Sequence, residues 1–156
     1  MAVLGGDSVT FSGMRMLAEL GGREVLAAII AGEQMCAGMV REAADLYVGS
    51  RSEQSYLDTI DGKTAALLSL ACRVGAMQAG RPDDQEEALA EFGRHFGLAY
   101  QLYDDILDLA RREHLTVYDT IYLWAAARGG FTLASRDADL LAAALRNGVA
   151  VNDLRA

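Results

Sequence analysis

Gln85-Glu-Glu-Ala-Leu89-Ala-Glu-Phe92-Gly-Arg-His-Phe96-Gly-Leu-Ala99-Tyr-Gln101-Leu-Tyr103-Asp104-Asp105-Ile106-Leu107-Asp108-Leu-Ala-Arg111 is the stretch on which the fold turns. Leu89, Phe92, Phe96, Ala99, Tyr103, Ile106 and Leu107 recur at steps of three and four, which predicts one long amphipathic helix over 85–111. Pro82, Asp83 and Asp84, followed by Glu86 and Glu87, mark its start, with acids near the positive end of the helix dipole. Glycine-rich punctuation at Gly21–Gly22, Gly49–Ser50, Gly80 to Asp84, Gly129–Gly130 and Asn147–Gly148 cuts the rest into helix-sized pieces.

The piece Arg23 to Tyr47 carries Val25, Ala28, Ile29, Gly32, Cys36, Met39 and Val40 on one helical face. Ser52 to Ala79, apolar nearly all round, reads as a buried helix. Helices over Val117 to Arg128 and Ser135 to Arg146 follow, the second with Ser135 as its N-cap. No alternating strand pattern stands out. The expectation is an all-α helical bundle, one domain over residues 1–156. Faces rich in Ala and Gly (Gly32, Gly38, Gly93, Gly97) suit close helix packing or the wall of an apolar cavity.

Composition narrows the function. With 22 acidic against 14 basic residues, the net charge is −8. Nucleic-acid binding needs clustered cations, and the sequence offers only Arg111–Arg112, so nucleic acid and anionic membrane are excluded as expected partners. No apolar run approaches the ~18 residues of a spanning helix. Asp7 precedes the first basic residue, Arg15, the wrong charge order for a secretory signal. Cys36 and Cys72 form no CxxC pair, which fits a reducing, cytoplasmic setting. Thirteen of the 14 cations are Arg; the sole lysine is Lys63.

The chemistry-bearing residues sit late in the long helix. Gln101, Asp104, Asp105 and Asp108 share an arc of roughly 100°. Mid-helix carboxylates on one stripe repel one another, by a few tenths of a kcal/mol per pair, so a cation is expected to offset them. A hard divalent ion such as Mg2+, shared between one or two carboxylates and a substrate phosphate, is the natural candidate beside a plain solvated acidic face. The stripe continues upstream through Ala90, Gly93, Arg94 and Gly97, small enough to face another helix. The second signal is Asp61-Gly62-Lys63-Thr64, read as opening the apolar helix that follows. A lysine and a hydroxyl at a helix N-terminus suit a phosphate.

Tyr56 through Lys63-Thr64-Ala65, Gly75-Ala76, Phe92-Gly93, Gly97 to Gln101 and Asp104-Asp105-Ile106-Leu107-Asp108 together resemble the trans-prenyl diphosphate synthase family. Ala2 to Asp7 and Met35-Cys36-Ala37-Gly38 extend the likeness over residues 2–108. The resemblance implies the isoprenoid-synthase fold, of which this sequence would be the C-terminal half. It implies condensation of an allylic diphosphate with isopentenyl diphosphate. Asp104, Asp105 and Asp108 match the family's second aspartate-rich motif, which holds Mg2+ against a diphosphate. Lys63 and Thr64 match the pair that contacts the allylic diphosphate, and Gln101 the glutamine ahead of the aspartates.

The sequence departs from that pattern in three places. The first aspartate-rich motif and the isopentenyl-diphosphate segment are absent from these residues. Met39 replaces the usual acidic or amide residue. The loop after Asp108 shortens to Leu109 to Glu113, where Arg111 or Arg112 is the candidate replacement cation, or else an intrahelical partner of Asp108. The resulting expectation is a subunit of a split synthase, inactive alone, whose second protein subunit carries the first motif. The alternative is a non-catalytic regulatory partner of a complete synthase. His95 and His114 carry little weight as catalytic groups: His95 is read as a packing or surface residue, and Trp124 as core.

Overall fold

The computed structural model of the chain describes residues 2–45 and 52–155. It is all-α but for one short strand pair, and it divides into two compact units, 1–99 and 100–156. Tyr47 and the Gly49–Ser50 break lie outside the described residues.

The first unit begins with α1 (Ala2–Leu20) and α2 (Gly22–Asp45), followed by α3 (Glu53–Ile60). Ser52 caps α3, its side chain accepting from Ser55 N. The expected continuous helix over 52–79 is interrupted: a π-helical turn, Asp61–Ala65, separates α3 from α4 (Ala66–Gln78). The next helix, α5, runs Asp83–Glu113, two residues longer at each end than the periodicity predicts, and its stretch through Ala99 belongs to this unit.

Small residues set how closely these helices approach. A Cβ on Gly38 of α2 would meet the Lys63 backbone nitrogen at 2.5 Å, and one on Gly62 would meet the Gln34 carbonyl at 2.6 Å. A Cβ on Gly93 would meet the Leu68 carbonyl at 2.5 Å, and one on Gly97 would meet Ala65 Cα at 2.6 Å. The stripe Ala90, Gly93, Gly97 therefore faces α4, and Ala90 and Ala65 are fully buried.

The bulky residues point the other way. On α2 the buried positions are Glu24, Ala28, Ala31 and Gly38. Of the face expected to be inside, Ile29, Met39 and Val40 are exposed. Phe92 and Phe96, members of the expected apolar stripe of α5, are 63% and 53% exposed, their rings stacked at 6.3 Å. Leu67 is exposed too, so α4 is not buried all round. Periodicity located the amphipathic helices; side-chain volume decided which side turns inward, because backbones this close admit only Gly and Ala between them.

Polar contacts pin the unit's edges. Glu86, 4% exposed, accepts from Arg23 at 2.9 Å and from Arg73 at 3.1 Å. Burial works against the Arg73 charge, but Glu87 and Glu86 more than offset it and hold the guanidinium above its usual pKa. Gln78 donates to Glu24 at 2.8 Å.

The second unit contains the rest of α5, then α6 (Val117–Gly129), β1 (Leu133–Ser135), α7 (Ala138–Arg146) and β2 (Val151–Asp153). The α5 helix stops at His114, whose φ of 57° lies in the left-handed region, with Leu115 N donating to Ala110 O at 3.0 Å. That is a Schellman stop with histidine in the place glycine usually takes. Thr116 caps α6. The strands β1 and β2 pair in parallel, Leu133 opposite Val151 and Ser135 opposite Asp153, with α7 as the crossover. They are three residues each, too short to show alternation, which is why the sequence reading missed them. Their formation moves the start of α7: the Ser135 carbonyl accepts from Leu154 N, and Asp137 replaces Ser135 as N-cap, accepting from Leu140 N at 2.9 Å. The core is Leu123, Ala126, Leu133, Leu140, Ala143, Ala144 and Val149. Trp124 is half-buried and stands outside it.

Candidate active site

Lys63 does not open a helix. It sits inside the π turn, where the Asp61 amide bonds back to the Asp58 and Leu57 carbonyls and the Ala66 amide to that of Asp61. The backbone amides are thus engaged in the helix, and the expected phosphate grip by a free N-terminus is corrected. The turn offers side chains instead. The Lys63 Nζ reaches Glu42 of α2 at 2.8 Å, with Lys63 36% and Glu42 43% exposed. Thr64 follows, half-buried. Glu42 carries no motif signature and was not singled out in the sequence; its position one turn after Gly38, where α2 packs on the π turn, is the signal that could have found it. Single π turns recur at functional sites, since the extra residue re-aims a side chain within an otherwise regular helix.

Around this turn the charges are matched. Arg94 holds Asp61 with two bonds, 2.7 and 3.1 Å, and that carboxylate raises the guanidinium pKa further. Arg41 donates to the Asp58 carbonyl at 3.2 Å. A cavity of about 850 Å³ runs beside them, with Ala27, Ile30, Leu70 and Met77 on its apolar wall and Arg41, Arg73 and Arg94 on its polar one.

In the second unit, Asp104 and Asp105 are half-buried and Asp108 is exposed. Gln101 donates to Asp105 at 2.9 Å, fixing one carboxylate within the helix. Arg111 takes Asp108 at 2.9 Å, the intrahelical pairing that the spacing allowed. Arg112 turns to Glu113 at 3.3 Å and to Asn147 at 3.1 Å. Asp105 and Asp108 line a cleft of about 370 Å³, shared with Arg112 and with Trp124 and Arg128 of α6; Asp104 and Arg111 do not line it. Lys63 and Thr64 belong to the first unit, the aspartates to the second.

Among the described residues, no three Asp, Glu, His or Cys side chains group closely enough to hold a metal by themselves. The donors are hard carboxylate oxygens, and two of them open onto one cleft. That suits Mg2+ shared with a phosphate ligand and water, and does not suit a resident ion in an all-protein cage.

The architecture is that of the isoprenyl synthases. A crystal structure of a polyprenyl synthase from Roseobacter denitrificans superposes with a TM-score of 0.69 at 28% identity, covering 94% of this chain and 55% of that one. A decaprenyl diphosphate synthase from Rhodobacter capsulatus gives a TM-score of 0.66, also at 28% identity, covering 94% and 52%. Residues 1–117 match the polyprenyl synthetase family, and the chain belongs to it. It is 35% identical to a (2E,6E)-farnesyl diphosphate synthase of Mycobacterium tuberculosis, the match covering 83% of this chain and 40% of the relative. It is 34% identical to heptaprenyl diphosphate synthase component 2 of Geobacillus stearothermophilus, covering 72% and 35%. The chain thus spans well under two thirds of each of these relatives. No helix among the described residues is long and apolar enough to cross a membrane.

Proposed function

We propose that the chain is a subunit of a split trans-prenyl diphosphate synthase, corresponding to the C-terminal half of the fold and supplying the second diphosphate site. The observation that carries this is the orientation of α5: its glycine side is packed and its Phe92–Phe96 side is bare. A helix bearing an aspartate motif and an uncovered aromatic flank suits a site completed by another polypeptide. A relative whose name marks it as one component of a heptaprenyl synthase is consistent with assembly from parts.

In this reading the Lys63 ammonium leaves Glu42 and, with the Thr64 hydroxyl, takes the oxygens of an allylic diphosphate. Asp104, Asp105 and Asp108, together with diphosphate oxygens and water, would hold Mg2+, which would supply charge stabilisation for the departing diphosphate. Gln101 keeps Asp105 oriented. The allylic carbon ionises, the double bond of isopentenyl diphosphate attacks it, and the released diphosphate takes the proton. Catalysis is electrostatic stabilisation and positioning, so no histidine base is needed. The partner subunit contributes the first aspartate motif and the isopentenyl-diphosphate contacts, and the assembly works in the cytoplasm.

The test mixes the purified chain with the product of the adjacent open reading frame and assays transfer from labelled isopentenyl diphosphate. Turnover is expected only in the mixture. Lys63→Ala or Asp104→Ala should lower it by about 10²–10³-fold, as for loss of a preorganised charge. Turnover by the chain alone would overturn the split. Full turnover with both variants would show a regulatory subunit instead.

A further inference from the structure

Lys63 and Glu42 are each other's partners. The ammonium donates to one Glu42 carboxylate oxygen at 2.8 Å, and among the described residues neither side chain has a second ion-pair or hydrogen-bond partner. Arg41, next in sequence, turns to the Asp58 carbonyl instead. Both side chains leave from a fixed crossing: a Cβ on Gly38 would meet the Lys63 backbone nitrogen at 2.5 Å, and one on Gly62 would meet Gly38 Cα at 3.2 Å. Glu42 stands one helical turn beyond Gly38, and Lys63 directly follows Gly62. The pair is open enough for an anion in solvent to reach the ammonium.

Resting on the reading in which Lys63 takes a diphosphate, we propose that Glu42 is the built-in counter-ion of that lysine and sets how tightly it holds an anion. Glu42 occupies the ammonium while no substrate is bound, opposes each arriving anion, and takes the ammonium back as a diphosphate leaves. A lysine ammonium is a compact point charge, and a carboxylate in contact with it cancels most of its field. An incoming phosphate must displace that carboxylate and then remain near it. Repulsion between like unit charges about 5 Å apart corresponds to a several-fold loss of affinity even at the dielectric of water. The sign distinguishes this role from a structural one. A carboxylate that only pinned α2 to the π turn would, when neutralised, loosen Lys63 and weaken anion binding; a counter-ion, when neutralised, strengthens it.

Lys63 is the chain's one lysine, so lysine labelled with 13C at its ε carbon gives a single side-chain signal from the purified chain. The probe is inorganic pyrophosphate in the presence of a chelator, which removes divalent ions and keeps the aspartates of α5 from binding it through a metal. Glu42→Gln, nearly identical in shape, should shift the Lys63 signal before any anion is added. It should then tighten pyrophosphate binding, read from the same signal, by at least about threefold. Glu33→Gln removes the same charge from an exposed position on α2 and should change neither. Far-UV circular dichroism checks that each variant is folded. Binding by Glu42→Gln that is equal to or weaker than wild type overturns the proposal. So does an equal gain in Glu33→Gln, or pyrophosphate that moves the lysine signal in neither wild type nor Glu42→Gln. The prenyl-synthase reading is decided separately, by the reconstituted transfer assay and its dependence on Asp104, which these metal-free titrations do not involve.

Discussion

Two glycines of α2 that look alike in sequence sit in opposite circumstances. A Cβ on Gly38 collides with backbone of the π turn, whereas one on Gly32 meets nothing within 4 Å. Gly38→Ala should therefore destabilise the chain by about 1–3 kcal/mol, by overpacking. Gly32→Ala should be neutral or stabilise it by up to ~1 kcal/mol, by helix propensity. Paired thermal melts check both. His114 allows a similar test: with φ at 57°, it occupies a conformation that glycine adopts at no steric cost. His114→Gly should raise stability by about 1 kcal/mol, in keeping with a structural role for this histidine. Glu86 was legible only as one acid near a helix start; its burial between Arg23 and Arg73 depends on tertiary placement that spacing does not encode.

At the scale of elements, the sequence disclosed α5 almost whole, because a 31-residue helix leaves a long periodic trace. The π turn left none, since one extra residue per turn is invisible against a run of Leu and Ala. The Lys63–Thr64 pair was found but placed at the wrong kind of backbone. The cap of α7 was likewise displaced by a strand too short to announce itself. Asp137→Ala should cost about 1 kcal/mol as loss of a true N-cap. Ser135→Ala should cost less, because that hydroxyl accepts only the Asp137 amide. Glu113 ties the end of α5 to α7: Asn147, Arg146 and Arg112 hold its carboxyl below the usual value of 4.5. Because the folded pKa is the lower one, its stabilisation is complete above the unfolded value and is lost as pH falls through and below about 4.5. Glu113→Gln should flatten the acid limb of the stability profile, measured by denaturant melts between pH 6 and 3.

At the scale of the molecule, α1, α2 and α5 all leave large apolar side chains outward, among them Phe11, Val40 and Phe92. The purified chain should bind a hydrophobic dye and self-associate in sedimentation velocity as concentration rises, and a cognate partner should suppress both. Membership of the polyprenyl synthetase family was legible because Asp104, Asp105, Asp108 and Lys63 keep the family's order. The bare flanks also bear on how a cell must make this protein. Copies with nothing to occupy those surfaces become substrates for chaperones and proteases. If the synthase is split as proposed, expression of the two polypeptides in matched amounts, as from one transcript, is the arrangement that such a surface demands.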